Sequence, residues 1–142
     1  MGRRFKMEKI KVNKELLKKA EDEVEKAGKL LQGIEHLPPD SISNYLHFLL
    51  NALNYLAQAV LGEGTIIDKD FFSISGVIDE KIREEMFDVY FSIKSLMNKN
   101  FKKVSRTTFR VDSWKYSTYL SKEDMNDLYK KVSTLVTVFK SF

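Results

Sequence analysis

Apolar residues recur along this chain at two different spacings, and the change between them marks its organisation. In NKELLKKAEDEVEKAGKLLQGIEHLPP the apolar positions Leu16, Leu17, Ala20, Val24, Ala27, Leu31 and Ile34 fall three and four apart, the spacing of one helical face with charges on the other. Asn13 stands where it can cap the start, and Pro38 stops the run. A second helix is predicted from about Asp40, after the paired prolines, to Gly62 or Gly64, with Ile42, Leu46, Leu49, Leu50, Leu53, Val60 and Leu61 on one broad face. The connector EGTIIDKDFFSISG carries apolar residues of its own, which predicts that it packs down. A third helix follows from about Ile78 to Asn98, turning Ile82, Met86, Val89, Ile93 and Leu96 inward, with acids early and lysines late as the helix dipole favours.

After Asn98 the helical period disappears. NFKKVSRTTFRVDSWKYSTYL gathers β-branched and aromatic residues and fits either an extended arm or a short strand pair, with no Asn-Gly or Asp-Gly to mark a hairpin. The last helix has a start signal: Ser121 with Asp124 three positions on resembles a capping box, and Leu120 and Met125 are placed as a hydrophobic staple. Its stripe is Met125, Leu128, Val132, Leu135, Phe139 and Phe142. Four helices of about twenty residues with no convincing sheet predict an all-α fold, an up-down four-helix bundle, as one domain over residues 1–142. A basic N-terminal arm (1–12) and a basic, aromatic connector (99–119) are its expected appendages.

The second helix is unusual in its polar residues. NYLHFLLNALNYLAQAVLG contains no charge, yet Asn44, His47, Asn51, Asn54 and Gln58 form a stripe along it. Fourteen of the twenty-two residues from Ser41 to Gly62 are apolar, long enough to cross a bilayer at about 1.5 Å per residue. Five amide and imidazole groups on one face would each need a partner in lipid, so no membrane span is expected. A neutral polar stripe predicts a subunit contact, as in a homodimer, or a lined cleft, where amides fix register.

Charge sharpens the connector. The chain carries +4 in all, but Lys99, Lys102, Lys103, Arg106, Arg110 and Lys115 against Asp112 alone give the segment from Lys99 to Lys115 about +5, and Arg3, Arg4, Lys6, Lys9 and Lys11 against Glu8 open the chain at about +4. Basicity confined to two stretches indicates a binding surface. Lysine and arginine neutralise phosphates, while Phe101, Phe109, Trp114 and Tyr116 offer rings on which unpaired bases stack, a combination suited to single-stranded nucleic acid. The plain alternative is a solvated basic loop whose aromatics belong to the core.

Other chemistry has little to build on. There is no cysteine and there are only two histidines, which predicts no metal site or other cofactor and a reducing, cytoplasmic setting. His36 reads as a cation at a helix end, and His47 as a structural member of the stripe, though it is the one candidate for a catalytic role. The six glycines are scattered, without a phosphate loop. MGRRFKMEKIKV is basic without an apolar stretch behind it, which predicts no secretory signal, and Lys6 stands where myristoylation uses Ser or Thr.

The order LLKKAEDEVEKAGKLLQ, NALNYLAQAVLGEG, FDVYFSIKSLMNKNF and YLSKEDMNDLYKKVSTLV resembles the HEPN domain family. These are small helical bundles of prokaryotic toxin–antitoxin and defence systems and of proteins bound by nucleotidyltransferase partners. The resemblance covers most of the chain. It implies a metal-independent RNase built on an Arg followed, four to six residues later, by His at a dimer cleft. In SIKSLMNKNFKKVSR, Lys94 stands for the Arg, and Asn98, Asn100 or Phe101 for the His; no His follows position 47, and the family's acidic helix-two position falls near Asn54. Without the proton-transfer group, the resemblance implies a non-catalytic module that binds RNA or a protein. The rivals are a degenerate metal-independent RNase using His47 with Arg106 or Arg110 across a dimer cleft, and an interaction partner of a nucleotidyltransferase-like protein.

Overall fold

A computed structural model describes residues 11–142, so the expected basic arm lies almost wholly outside the described residues. The chain is mostly helical. Its order is α1 (Lys14–Gln32), a 3-10 turn (Ile34–His36), α2 (Asp40–Leu61), the short α3 (Phe71–Ser75), α4 (Glu80–Leu96), β1 (Asn100–Lys103), β2 (Thr108–Asp112), β3 (Ser117–Ser121) and α5 (Lys122–Lys140).

The helix ends follow the sequence signals. Asn13 Oδ1 accepts from the backbone N–H groups of Glu15 and Leu16 at 3.0 and 3.2 Å, covering two of the donors that the first turn of α1 leaves open. α2 ends where Gly62 and Gly64 take φ of 113° and 87°, left-handed positions that glycine enters without strain. Ser121 is at once the last residue of β3 and the cap of α5, and its capping box with Asp124 is closed in both directions, at 3.0 and 2.8 Å. Leu120 and Met125, either side of it, are both buried.

α2 is the centre of the molecule. It packs against α1, α4 and α5, while α5 also meets α1 and α4. Ile42, Tyr45, Leu46, Leu49, Leu53 and Leu56 on α2 are wholly buried. At about 1.5–3 kcal/mol for each large side chain removed from water, this helix supplies much of the drive for collapse. Gly28 marks a close approach: a Cβ there would lie 3.0 Å from the Tyr129 hydroxyl on α5. A side chain there would require the Tyr129 ring to give by a few tenths of an ångström, set against the cost of about 0.5–1 kcal/mol that a mid-helix glycine otherwise carries.

The sheet corrects the all-α expectation. The basic connector is neither an arm nor a strand pair but a three-stranded antiparallel meander in the order β1-β2-β3. In β2 the residues alternate, Phe109 and Val111 buried between half-buried Thr108, Arg110 and Asp112. That period-two pattern seats one face of the sheet on the helical core. Phe109, Val111 and Leu120 join the same apolar cluster as the helices, with Phe101 packed against it. β3 runs directly into α5, so the sheet is tied to the helices without a linker.

Candidate nucleic-acid interface

Strand register decides which side chains share the open face of the sheet. Lys102 pairs with Arg110 and Arg110 with Tyr119, while Asn100 pairs with Asp112 and Asp112 with Ser117. Residues opposite one another point to the same side, and Phe109 and Leu120, one step along, are buried. The outer face therefore carries two rows, Lys102–Arg110–Tyr119 and Asn100–Asp112–Ser117. At about 4.8 Å between strands, each row is about 10 Å wide.

The turn after β2 adds aromatics at the edge of this face. Ser113 donates its backbone N–H and its hydroxyl to the Tyr116 carbonyl at 3.0 and 2.8 Å, and its Oγ accepts from Tyr116 N at 3.3 Å. This closed turn holds Trp114 at 88% exposure and Tyr116 at 69%, and Tyr119 on β3 is 64% exposed. Lys115 Nζ lies 4.7 Å from the centre of the Trp114 ring, a cation-π contact that keeps charge and ring together. Three large rings thus stand in water within six residues.

The cations divide into two groups. Arg110 reaches Asp112 with Nε to Oδ1 at 2.9 Å and Nη2 to Oδ2 at 3.3 Å, and Ser117 Oγ donates to the same Oδ1 at 2.7 Å. The Ser117 hydrogen bond first, then that of Arg110, hold the Asp112 carboxyl below its usual range. At the other end of the sheet, Glu35 in the 3-10 turn takes Arg106 Nη2 on Oε2 at 3.2 Å and Lys122 Nζ on Oε1 at 3.3 Å, and Lys103 Nζ donates to its backbone carbonyl. Arg106, then Lys122, hold the Glu35 carboxyl low. One carboxylate thus ties the β1–β2 turn to the end of α1.

Of the residues expected to bind nucleic acid, Lys102, Arg110, Trp114 and Lys115 come together on or beside the outer face. Lys103 and Arg106 gather at Glu35, and Lys99 is half-buried just before β1. Phe109 is a correction: it is wholly buried and offers no ring to a base. Burial in the core holds it there at about 1.5–3 kcal/mol with no ligand needed. Tyr119 takes its place among the exposed rings and was missed. Its signal was parity: once Leu120 is assigned inward, Tyr119 must point outward beside Arg110.

The neutral stripe of α2 divides in two. Asn51 Nδ2 donates to Glu23 Oε1 on α1 at 3.1 Å, Asn54 Oδ1 accepts from Ile67 N at 2.9 Å, and Gln58 Nε2 donates to the Thr65 carbonyl at 3.1 Å. Its inner members therefore hold down α1 and the connector after α2. Beneath the connector, Tyr90 is pushed up chiefly by burial and hydrogen-bonds with Asn54 and Asp68. Lys94, the residue standing for the family Arg, forms an ion pair with Asp68 at 3.4 Å. Asn44 and His47 are exposed, and within one chain Arg106 is engaged by Glu35 and Arg110 by Asp112.

Among the described residues, no group of three His, Cys, Asp or Glu is placed to hold a metal ion. Nor is any helix among them long and apolar enough to cross a membrane. Comparison with family models, with curated proteins and with solved structures finds no match to this chain.

Proposed function

We propose that this protein is a non-catalytic, HEPN-like helical domain that binds single-stranded RNA on the outer face of its sheet. The observation that carries the reading is the row Lys102–Arg110–Tyr119, with exposed Trp114 and Tyr116 and the Lys115 cation in the turn beyond the neighbouring Asn100–Asp112–Ser117 row. Rings and cations interleaved on one open face suit a strand whose bases are unpaired, each stacked base contributing about 1–3 kcal/mol while cations follow the phosphates. A duplex would keep its bases stacked on one another and away from these rings. The family part of the reading rests on four long helices in the order of the four segments that carry the resemblance, with a three-stranded sheet before the last that the resemblance does not imply. Binding without cleavage follows from Lys94 engaged with Asp68 and from the absence of any His after position 47.

The test is fluorescence anisotropy with a short labelled single-stranded RNA at two salt concentrations, alongside the emission of Trp114, the only tryptophan. Binding is expected to weaken with salt, to quench Trp114 and to leave the RNA intact. Trp114→Ala and Tyr119→Ala should each lower affinity about thirtyfold, the midpoint of one lost stack. Binding that ignores salt, or that survives both substitutions together, would overturn the reading.

A further inference from the structure

The cations of the sheet do not share one task, and half-buried Arg110 differs from the rest. Its guanidinium is fixed at two points by Asp112, two residues along on the same face of β2, and Asp112 is in turn fixed from β3 by Ser117. A planar fork held at both contacts has one orientation, so its faces are presented rather than its charge. The charge is already met at contact distance. Handing Arg110 to a phosphate would leave the Asp112 carboxylate beside a polyanion, a like-charge repulsion that the exchange does nothing to offset. Beside Arg110 on the same row stands exposed Tyr119, and side chains so paired have Cβ atoms about 4.5–5.5 Å apart. A guanidinium and a phenol carried on Cβ atoms at that separation are near enough for one base to touch both.

We propose that Asp112 is a positioning residue that turns Arg110 into a stacking plane, so that Arg110 and Tyr119 together receive one unpaired base while Lys102 and Lys115 meet the flanking phosphates. The proposal rests on the reading above and names its ligand more narrowly: a strand carrying a free base at this position, not a polyanion as such. Two consequences separate it from ordinary charge attraction. Binding depends on the presence of bases at constant backbone charge. Arg110, already neutralised, adds nothing to the counterions released on binding.

The experiment compares a short single-stranded RNA with an abasic ribose-phosphate strand of the same length, measured by anisotropy over a range of salt with the full chain. Wild-type protein is expected to bind the abasic strand at least tenfold more weakly. Arg110→Ala combined with Asp112→Asn, which removes both charges of the pair and leaves the local charge unchanged, should weaken binding of the base-bearing strand about tenfold without changing the slope of log affinity against log salt, and Arg110→Lys with Asp112 kept should not bind like wild type. Asp112→Asn should steepen that slope by about 0.7, the value for one added phosphate contact on a single strand, as Arg110 is released to the backbone. Thermal melting of each variant separates loss of fold from loss of contact, and a merely structural bridge would move the melting temperature and leave the slope alone. A slope that flattens by about 0.7 in the Arg110→Ala, Asp112→Asn double variant, Arg110→Lys binding like wild type, or equal binding of the two strands would overturn the proposal while leaving RNA binding in place. Failure of wild-type protein to bind either strand would instead overturn the reading on which it rests.

Discussion

Tyr45 on α2 donates its hydroxyl to the Met125 carbonyl, 2.5 Å away in the first turn of α5 and eighty residues on in the chain. The ring is wholly buried, and burial raises the hydroxyl well above its ordinary range, which favours the neutral, donating form. The bond locks the central helix to the helix that leaves the sheet. Tyr45→Phe keeps the ring and removes the donor. It should cost about 0.5–1.5 kcal/mol, read as a lower midpoint of urea unfolding with an unchanged slope. Tyr45→Ala should cost about 3–5 kcal/mol through the cavity it leaves. A Tyr45→Phe protein as stable as wild type would show the bond to contribute nothing.

The helices were legible because their signals are local. Pro38 and Pro39 before α2, Gly62 and Gly64 after it, Asn13 at α1 and the Ser121–Asp124 box at α5 each act within a few residues, and the bounds found are close to those read from the pattern. The sheet was hidden because its alternation rests on very few residues. β1 turns only Phe101 toward the core and β3 only Leu120, while both turns are four residues long without an Asn-Gly pair. Phe109 beside Arg110 reads in sequence like a stacking ring next to a phosphate ligand, and only the pairing with Leu120 shows which way it faces. The ties to Glu35 span 68 to 87 residues, and no local pattern encodes them. The stripe on α2 was visible as spacing, but its partners Glu23, Thr65 and Ile67 were not.

Those partners change what a charge placed in the stripe would do. Glu23 is buried on α1, where it pairs with Lys26 at 3.0 Å and accepts from Asn51. Asn51→Asp would set a second carboxylate against it, so the pair holds a proton more tightly folded than unfolded. The variant should therefore lose about 1–3 kcal/mol at neutral pH and recover as pH falls through the carboxylate range, because a raised folded pKa contributes stability below the unfolded value and loses it above. Denaturation midpoints at neutral and mildly acid pH check this, and a loss that does not shrink with acid would refute it. Light scattering on the same samples reads the subunit question separately: the intrachain bond predicts lost stability with or without a second subunit, and only a changed mass reports that the face also joins two chains.

Glu35 and Asp112 predict the opposite dependence on pH for the wild-type sheet. Both carboxyls are held below their ordinary range in the folded protein, Glu35 chiefly by Arg106 and then Lys122, and Asp112 chiefly by Ser117 and then Arg110. A depressed pKa contributes stability that is complete above the unfolded value and is lost as pH falls through the folded one. Stability should thus be insensitive to these groups from neutral pH down to the ordinary carboxylate range and decline below it. Glu35→Gln should start from a lower midpoint at neutral pH and show a shallower acid decline. Asp112→Asn should do the same, and Ser117→Ala part of it, since the largest of the Asp112 contacts is removed. Because Arg106 and Lys122 are solvent-accessible, added salt should narrow the difference between Glu35→Gln and wild type. Urea midpoints measured across acid pH at low and high salt decide it: if Glu35→Gln declines as steeply as wild type, the tie between the β1–β2 turn and the end of α1 does not hold the sheet in place.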